Sequence, residues 1–372
     1  MNLRKPFTFD NTAGTHTLDE LLINERQPIY DYGIDETFEL INNDLQAHNA
    51  TLRDSITYLA DPTIERLKRT GLQVQGAMMK ASEYSRGITH RNQGGADSGF
   101  PLEKFLFPVG WTLDFLKAAT VGDLARMTIA AQKADIQALA REIKRAIYLP
   151  TNYTFADEQL EPGQSALDLA VKRLLNADGY PIPTSPDGVE FDNSTHTHYS
   201  AFDWAGGNET TRTAAVDALV ENILEHYQGA EVEIIIRSTQ VSDFSALSAF
   251  TAVQPTFVIP TGSTDGTVDV NDPSRNDNKI VGYWRGNHRI RTKPWAIASY
   301  PIAINVRSGT KPLAYRERAT TSLRGLRLAS QFENAPLQAD TFEHEFGFGV
   351  DDRMCMAVLY TGGGSYTAPT IT

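Results

Sequence analysis

The apolar positions of this 372-residue chain change period several times, and each change marks an element. Residues 1–33 hold turn formers and no sustained period. From Asp35 to Leu59, Phe38, Ile41, Leu45, Leu52, Ile56 and Leu59 fall on roughly one helical face. An arm without its own core is expected to lie on another surface, such as a second copy of the chain. Thr70–Thr112 reads as a long hairpin, with extended arms at Leu72–Ser82 and Phe100–Val109 around a Gly-rich polar tip at Gln93–Gly99. Met78 and Met79 on the first arm suit core gap-filling or a soft contact surface.

The strongest helical signal runs from Thr120 to Pro150. Thr120 and Asp123 open it as a capping-box-like pair, and Pro150 closes it. Leu124, Ala125, Ile129, Ile136, Leu139, Ala140, Ile143, Ala146 and Ile147 form one stripe, with Arg126, Lys133, Arg141 and Lys144 elsewhere. At 1.5 Å per residue such a rod spans roughly 40 Å, long enough to act as a spine on which sheets are laid. A shorter amphipathic helix is expected over Ser165–Gly179, ending in its Gly cap. After a Pro-rich break comes a helix over Thr210–Tyr227, a stop at Gly229 and a buried strand, Val232–Ile236. That order predicts a separate α/β unit from about 185 to 320. Pro260–Lys279 is a loop by composition, and strand-like runs follow at Ile280–Trp284, Ile290–Val306 and Pro312–Glu317. No repeat period is visible.

Composition narrows the classes. With 41% hydrophobic and 22% charged residues, the chain can bury the cores of two or three domains. There is no apolar run of about 18 residues, and the first twenty residues lack the apolar core of a secretory signal, so a cytoplasmic protein is expected. In that setting the sequons at Asn49, Asn152, Asn193 and Asn208 are chance matches. A single cysteine makes neither an internal disulfide nor a Cys-based zinc site. The net charge of −12 is unevenly spread. Thr151–Ile280 carries 20 Asp/Glu against 6 Lys/Arg, whereas Tyr283–Arg327 carries 10 Lys/Arg and one acid, Glu317. Such polarity fits an acidic face of one copy meeting a basic face of the next, a basic nucleic-acid groove, or solvated faces. Overall acidity argues against tight, non-specific DNA binding, which needs clustered cations.

Candidate chemistry is sparse. Glu343, His344 and Glu345 are consecutive, and in an extended chain neighbouring side chains point to opposite faces, so His344 cannot share a site with both. The following apolar run reads as a buried strand with Cys355 as a small core residue, inert among apolar neighbours. His196 and His198 have the i, i+2 spacing of metal ligands on a strand, but with no third ligand nearby in sequence they read as surface loop histidines. Asp265, Asp269, Asn271, Asp272 and Asp277 are rich in oxygen ligands yet lack the EF-hand pattern, so turn chemistry is preferred. G-x-S-x-G, the P-loop and the dinucleotide fingerprint are all missing. No catalytic, cofactor-binding or metal residue is assigned, and no enzyme is expected. The rival reading is a cytoplasmic metal-dependent hydrolase using the His196/His198 pair or the acidic loop.

The order of parts nevertheless resembles one family. "FPLEKFLFPVGWTLDFLKAATVGDLARMTIAAQKADIQALAREI" at a loop-to-spine junction, "TTRTAAVDALVENILEHYQGAEVEIIIR" as a helix and strand, and above all "FGFGVDDR" followed by an apolar strand and a Tyr/Pro tail are similar to major capsid proteins of tailed bacteriophages with the HK97-type fold. The resemblance implies an α+β fold with an N-arm of about 1–58, an extended hairpin loop of 59–108, a peripheral domain of 109–184 that carries the spine helix, an axial domain of 185–320, and a return to the peripheral sheet at 321–372. It implies a structural protein that self-assembles into hexamers and pentamers, forming an icosahedral head around double-stranded DNA bound without sequence specificity. No membrane is implied. A separate scaffolding protein, a portal and decoration proteins are possible partners, and the location is the virion after assembly in a host cytoplasm. An encapsulin-like shell that loads an enzyme is the alternative within the same fold. Lys80 is available for the covalent cross-link some members form, but non-covalent closure is preferred. If the acidic and basic segments meet across subunits, assembly should weaken at high salt.

Overall fold

The computed structural model describes residues 18, 22, 25–70, 95–112, 117–158, 161, 163–253, 279–307, 309, 311–332 and 337–371. The helix expected from residue 35 is α1 (Ile34–Ile56), and the spine is α2 (Val121–Tyr148). At the start of α2, Asp123 N–H donates to Thr120 Oγ1 at 3.3 Å and Thr120 N–H to Asp123 Oδ2 at 3.1 Å, a reciprocal cap. Its end is equally local in origin: Leu149 turns extended ahead of Pro150, because a residue before proline avoids the helical region.

The strands in chain order are β1 (Ala60–Thr63), β2 (Leu67–Thr70), β3 (Ala96–Gly99), β4 (Glu103–Thr112), β5 (Tyr153–Asp157), β6 (Leu167–Val171), β7 (Tyr199–Ala201), β8 (Val232–Ile236), β9 (Phe250–Ala252), β10 (Ile280–Trp284), β11 (His288–Thr292), β12 (Ile302–Asn305), β13 (Leu313–Arg316), β14 (Arg327–Phe332), β15 (Leu337–Val350) and β16 (Met356–Tyr360). A third long helix, α3 (Glu209–Leu224), lies between β7 and β8. One sheet runs β1-β13-β15-β14 with β4 also on β15; the other runs β7-β16-β12-β8-β11-β10-β9.

The central strands of the seven-stranded sheet, β8, β12 and β16, are buried on both faces, which explains their largely apolar sequences. Ile235, Ile302, Ile304, Met356 and Val358 face the spine, packing with Ile136, Leu139, Ile143 and Ile147. The alternate positions Ile234, Ile236, Ala303, Ala357 and Leu359 face α3, against Val216, Leu219, Val220 and Ile223. The N-terminal half of α2 packs elsewhere, with Val121, Leu124 and Ala125 against Ile41 and Leu45 of α1 and Phe342 of β15. One helix therefore joins two bodies of apolar side chains, one along each half of its length.

Several expectations change. Ser165–Gly179 contains no helix; it holds β6, antiparallel to β5. Leu169 and Val171 are buried and Asp168 and Ala170 exposed, so the same apolar residues satisfy a two-residue period once a partner strand is present. Phe100–Val109, the second arm of the expected hairpin, leads into β4, which pairs with β15 from Glu103 to Thr112. Phe105, Phe107 and Val109 alternate toward the cores on α2 while Leu106 stays 57% exposed, and that apolar face selects the partner. The hairpin narrows at its base to β2 and β3, in register from Leu67 opposite Gly99 to Thr70 opposite Ala96. The arm Leu72–Ser82, with Met78, Met79 and Lys80, lies outside the described residues, as does the acidic loop Asp265–Asp277. The C-terminal segment 321–372 divides: β14 and β15 join the five-stranded sheet, whereas β16 crosses to the other, between β12 and β7. It does so because both of its faces are apolar, and only a sheet covered on both sides accommodates that.

The charge polarity resolves inside one subunit. Arg285 pairs with Asp217, Arg289 with Glu231, Arg291 with Glu233, Arg316 with Asp157, Arg318 with Glu345 and Glu161, and Arg327 with Glu343. β11 lies beside β8, with Arg289 directly opposite Glu233, so the basic and acidic segments meet through strand pairing. Six of the ten cations of the basic segment thus meet acids of their own chain.

Candidate functional site

Three constructions organise the chemistry of the described residues. The first anchors the base of the hairpin. Arg316 on β13 is 2% exposed; it donates to the Phe100 carbonyl at 2.7 Å and to Asp157 Oδ2 at 2.9 Å. Arg66, just before β2, donates to the same Oδ2 at 2.7 Å, and Phe100 N–H donates to the Arg66 carbonyl at 2.8 Å. Both ends of the hairpin thus converge on one buried carboxylate carried by the β5/β6 ribbon. Lys68 adds a pair with Asp351 at 2.6 Å.

The same junction accounts for the alternation in "FGFGV". Phe346, Phe348 and Val350 fill the core, while Gly347 and Gly349 point to the face where Phe100 and Pro101 cross. A Cβ at 347 would collide with the Pro101 carbonyl, and one at 349 with the Phe100 ring. A backbone carbonyl cannot swing aside, so Gly347→Ala is expected to lower stability by about 1–3 kcal/mol, read as a drop in Tm of the purified subunit. An unchanged Tm would mean that the crossing segment is free to retreat.

The second construction answers the Glu343–His344–Glu345 question. His344 parts from its two neighbours, as an extended chain requires, while Glu343 and Glu345 share one face and the guanidinium of Arg327. Glu343 pairs with Arg327 and Lys104, Glu345 with Arg318, and His344 turns to the spine. His344 Nδ1 lies 2.6 Å from Asp135 Oδ1, and His48 Nε2 of α1 lies 3.1 Å from Asp135 Oδ2. Tyr315 Oη of β13 meets His344 Nε2 at 3.1 Å. Burial works against the ionised carboxyl of Asp135, but the charge and hydrogen bond of His344, then His48, overcome it and hold its pKa at about 2. The group ties α1, α2, β13 and β15 together. Cys355, fully buried, is a core residue whose Sγ lies 3.5 Å from the Asn305 carbonyl.

The third construction overturns the surface-loop reading of His196 and His198. His198 is fully buried and the side chain of His196 is only 15% exposed. Their segment is clamped by backbone bonds, His198 N–H to the Leu175 carbonyl and Val358 N–H to the His198 carbonyl, both at 2.8 Å. The sequence reading missed the partners, Glu225 and His226 at the C-terminal end of α3. His226 Nε2 lies 3.1 Å from Nε2 of both His196 and His198. Glu225 Oε1 is 3.4 Å from His196 Nε2 and 3.7 Å from His226 Nε2. Phe191 covers the group, its ring 5.0 Å from that of His196 and 4.6 Å from that of His226. Burial pushes the pKa of all three imidazoles down, that of His226 to about 3, and raises that of Glu225 to about 7 with help from Glu221. A histidine at a helix end after an H-x-H segment was the available sequence signal; only the packing of α3 over β16 and its sheet makes it meaningful.

No protein-family model matches the chain, and no curated protein matches it in sequence. Solved structures do. One from Mycobacterium phage Patience superposes with a TM-score of 0.65 at 18% identity, covering 88% of each chain. The capsid of an empty GTA particle follows at 0.47 and 12% identity, over 83% of this chain and 90% of that one. An encapsulin complex from Synechococcus elongatus stands at 0.45 and 11%, over 86% and 90%. The first of these matches establishes the architecture: the chain has an α+β fold of the HK97 capsid type, as its order of elements implies.

Proposed function

We propose that this chain is the major capsid protein of a tailed bacteriophage, a structural protein that assembles into hexamers and pentamers of an icosahedral head enclosing double-stranded DNA. The observation that carries the reading is the anchoring of the hairpin within that fold. Its two ends enter the subunit through a narrow ribbon, β2 and β3, and are fastened to a buried Arg316–Asp157 pair. A segment fastened so firmly at both of its ends is suited to bearing load from a neighbouring copy. Exposed apolar side chains beside that root, Ile64 at 48% and Leu67 at 40%, supply surface for such a neighbour.

On this reading, residues 1–58 are an arm, 59–108 the extended loop, 109–184 with β13, β14 and β15 the peripheral part, and the rest of 185–320 with β16 the axial part. Repeated identical contacts let modest interface energies multiply around a closed shell. The partners are further copies of the chain, with a separate scaffold, a portal and decoration proteins as candidates. DNA is enclosed rather than recognised, and the protein resides in the virion after assembly in the host cytoplasm. The test is expression of the full chain alone and with its neighbouring phage genes, followed by sizing with light scattering and negative-stain electron microscopy. Shells, capsomer rings or tubes of megadalton mass are expected. A monomer or dimer under every condition would overturn the reading, and shells that package an enzyme instead of DNA would convert it to the encapsulin-like one.

A further inference from the structure

We infer that His196, His198, His226 and Glu225 form a structural site for a divalent transition-metal ion, with zinc the best match to its donors. The four ligand atoms lie within 4.8 Å of one another, and the four distances among them given above run from 3.1 to 3.7 Å. Four ligands at about 2.0–2.1 Å from a tetrahedral centre stand about 3.3–3.4 Å apart, so these side chains already sit near the edges of such a tetrahedron. Three imidazoles and one carboxylate favour zinc-like ions over calcium or magnesium, which prefer all-oxygen cages. Four protein ligands complete a tetrahedron without a vacant position, the signature of a structural rather than a hydrolytic site.

The surroundings are those of a built site. His198 Nδ1 lies 2.7 Å from the Met356 carbonyl, which can only accept, so the proton sits on Nδ1 and the Nε2 lone pair faces the cluster. Protons alone do not satisfy what remains. With the His198 Nε2 bare, His226 Nε2 must donate to it, yet His196 Nε2 stands equally close at 3.1 Å. An imidazole N–H lies in the ring plane and serves one acceptor well, so one of these contacts is left without its hydrogen bond. Glu225 Oε1 is likewise buried without a hydrogen-bond partner. A single dication answers all of these acceptors together. It would fasten the end of α3 to the segment leading into β7, on the far side of the sheet from the spine.

The experiment is metal analysis of the full chain, as dissolved subunit or particle, after chelator treatment and re-exposure to micromolar Zn2+. About one zinc per chain is expected, with Tm falling on chelation and recovering with zinc. His226→Gln and His198→Gln variants that keep the wild-type circular dichroism should retain less than about a tenth of that zinc. Co2+ provides a readout that needs no variant: intense visible bands of a four-coordinate ion support the site, and the weak bands of an octahedral ion overturn it. Wild-type chain that takes up no zinc, or variants that bind it as well as wild type, would equally sink the inference. None of these readouts depends on whether shells form.

Discussion

Replacing Asp135 with alanine is expected to destabilise the subunit by about 3–5 kcal/mol, the largest effect of any single polar substitution in the spine. The carboxylate is buried between His48 and His344, and its removal strips both imidazoles of a partner at 3.1 and 2.6 Å while opening a void against the helix. The urea midpoint of the dissolved subunit measures the loss. The more discriminating variant is Asp135→Asn, which keeps shape and hydrogen bonding but removes the charge. The folded-state pKa of about 2 lies below the ordinary 3.8. A depressed carboxylate pKa contributes stability that is present in full above the unfolded value and disappears as pH falls through the folded one. Wild type should therefore lose about 2 kcal/mol more than Asp135→Asn between pH 5 and pH 2. Parallel pH profiles for the two proteins would show that this carboxylate is not held ionised by its histidines.

Asp157→Ala ranks beside it and reaches further into function. Arg316 would keep its bond to the Phe100 carbonyl but lose its counter-charge while only 2% exposed, and an uncompensated buried guanidinium costs about 3–5 kcal/mol. Arg66→Ala leaves Asp157 paired with Arg316, so it should cost much less, about 1 kcal/mol. A third variant, Asp157→Asn, separates folding from assembly. If the buried pair is what fixes the hairpin root, then Asp157→Asn, which retains an acceptor for Arg316, should give folded subunits that assemble poorly. Particle yield by electron microscopy at matched folded concentration reads this. Wild-type yields from Asp157→Asn would place the load-bearing contact elsewhere.

These two sites also show where sequence reasoning reaches its limit. Asp135 appears in the sequence as one acid among many on a helix, and Asp157 as one of 20 in an acidic segment. Nothing in their neighbourhoods distinguishes them, because the partners lie on distant segments: His344 and His48 for the first, Arg316 and Arg66 for the second. The same holds for the histidines. His196 and His198 were visible as a pair of ligands on one face, but Glu225 and His226 become their neighbours only when α3 packs back over β16 and its sheet.

What the sequence determined by itself is whatever depends on neighbours a few residues apart. The spine helix, its Thr120–Asp123 cap and its end at Pro150 follow from a 3.6-residue period and from capping and proline geometry, all local causes. The buried strand Val232–Ile236 follows from a short, mostly apolar run after a glycine stop, and the separation of His344 from Glu343 and Glu345 from the two-residue period of an extended chain. Tertiary structure decided the rest. It turned Leu167–Val171 from an expected helix into a strand, because the segment serves either period and a partner strand tipped the balance. It sent β16 to the second sheet, paired the basic segment with acids of its own chain, and closed four side chains into one cluster. Each of these outcomes is a contact between segments far apart in sequence, and such contacts are chosen by which buried faces and charges fit together once the chain is folded.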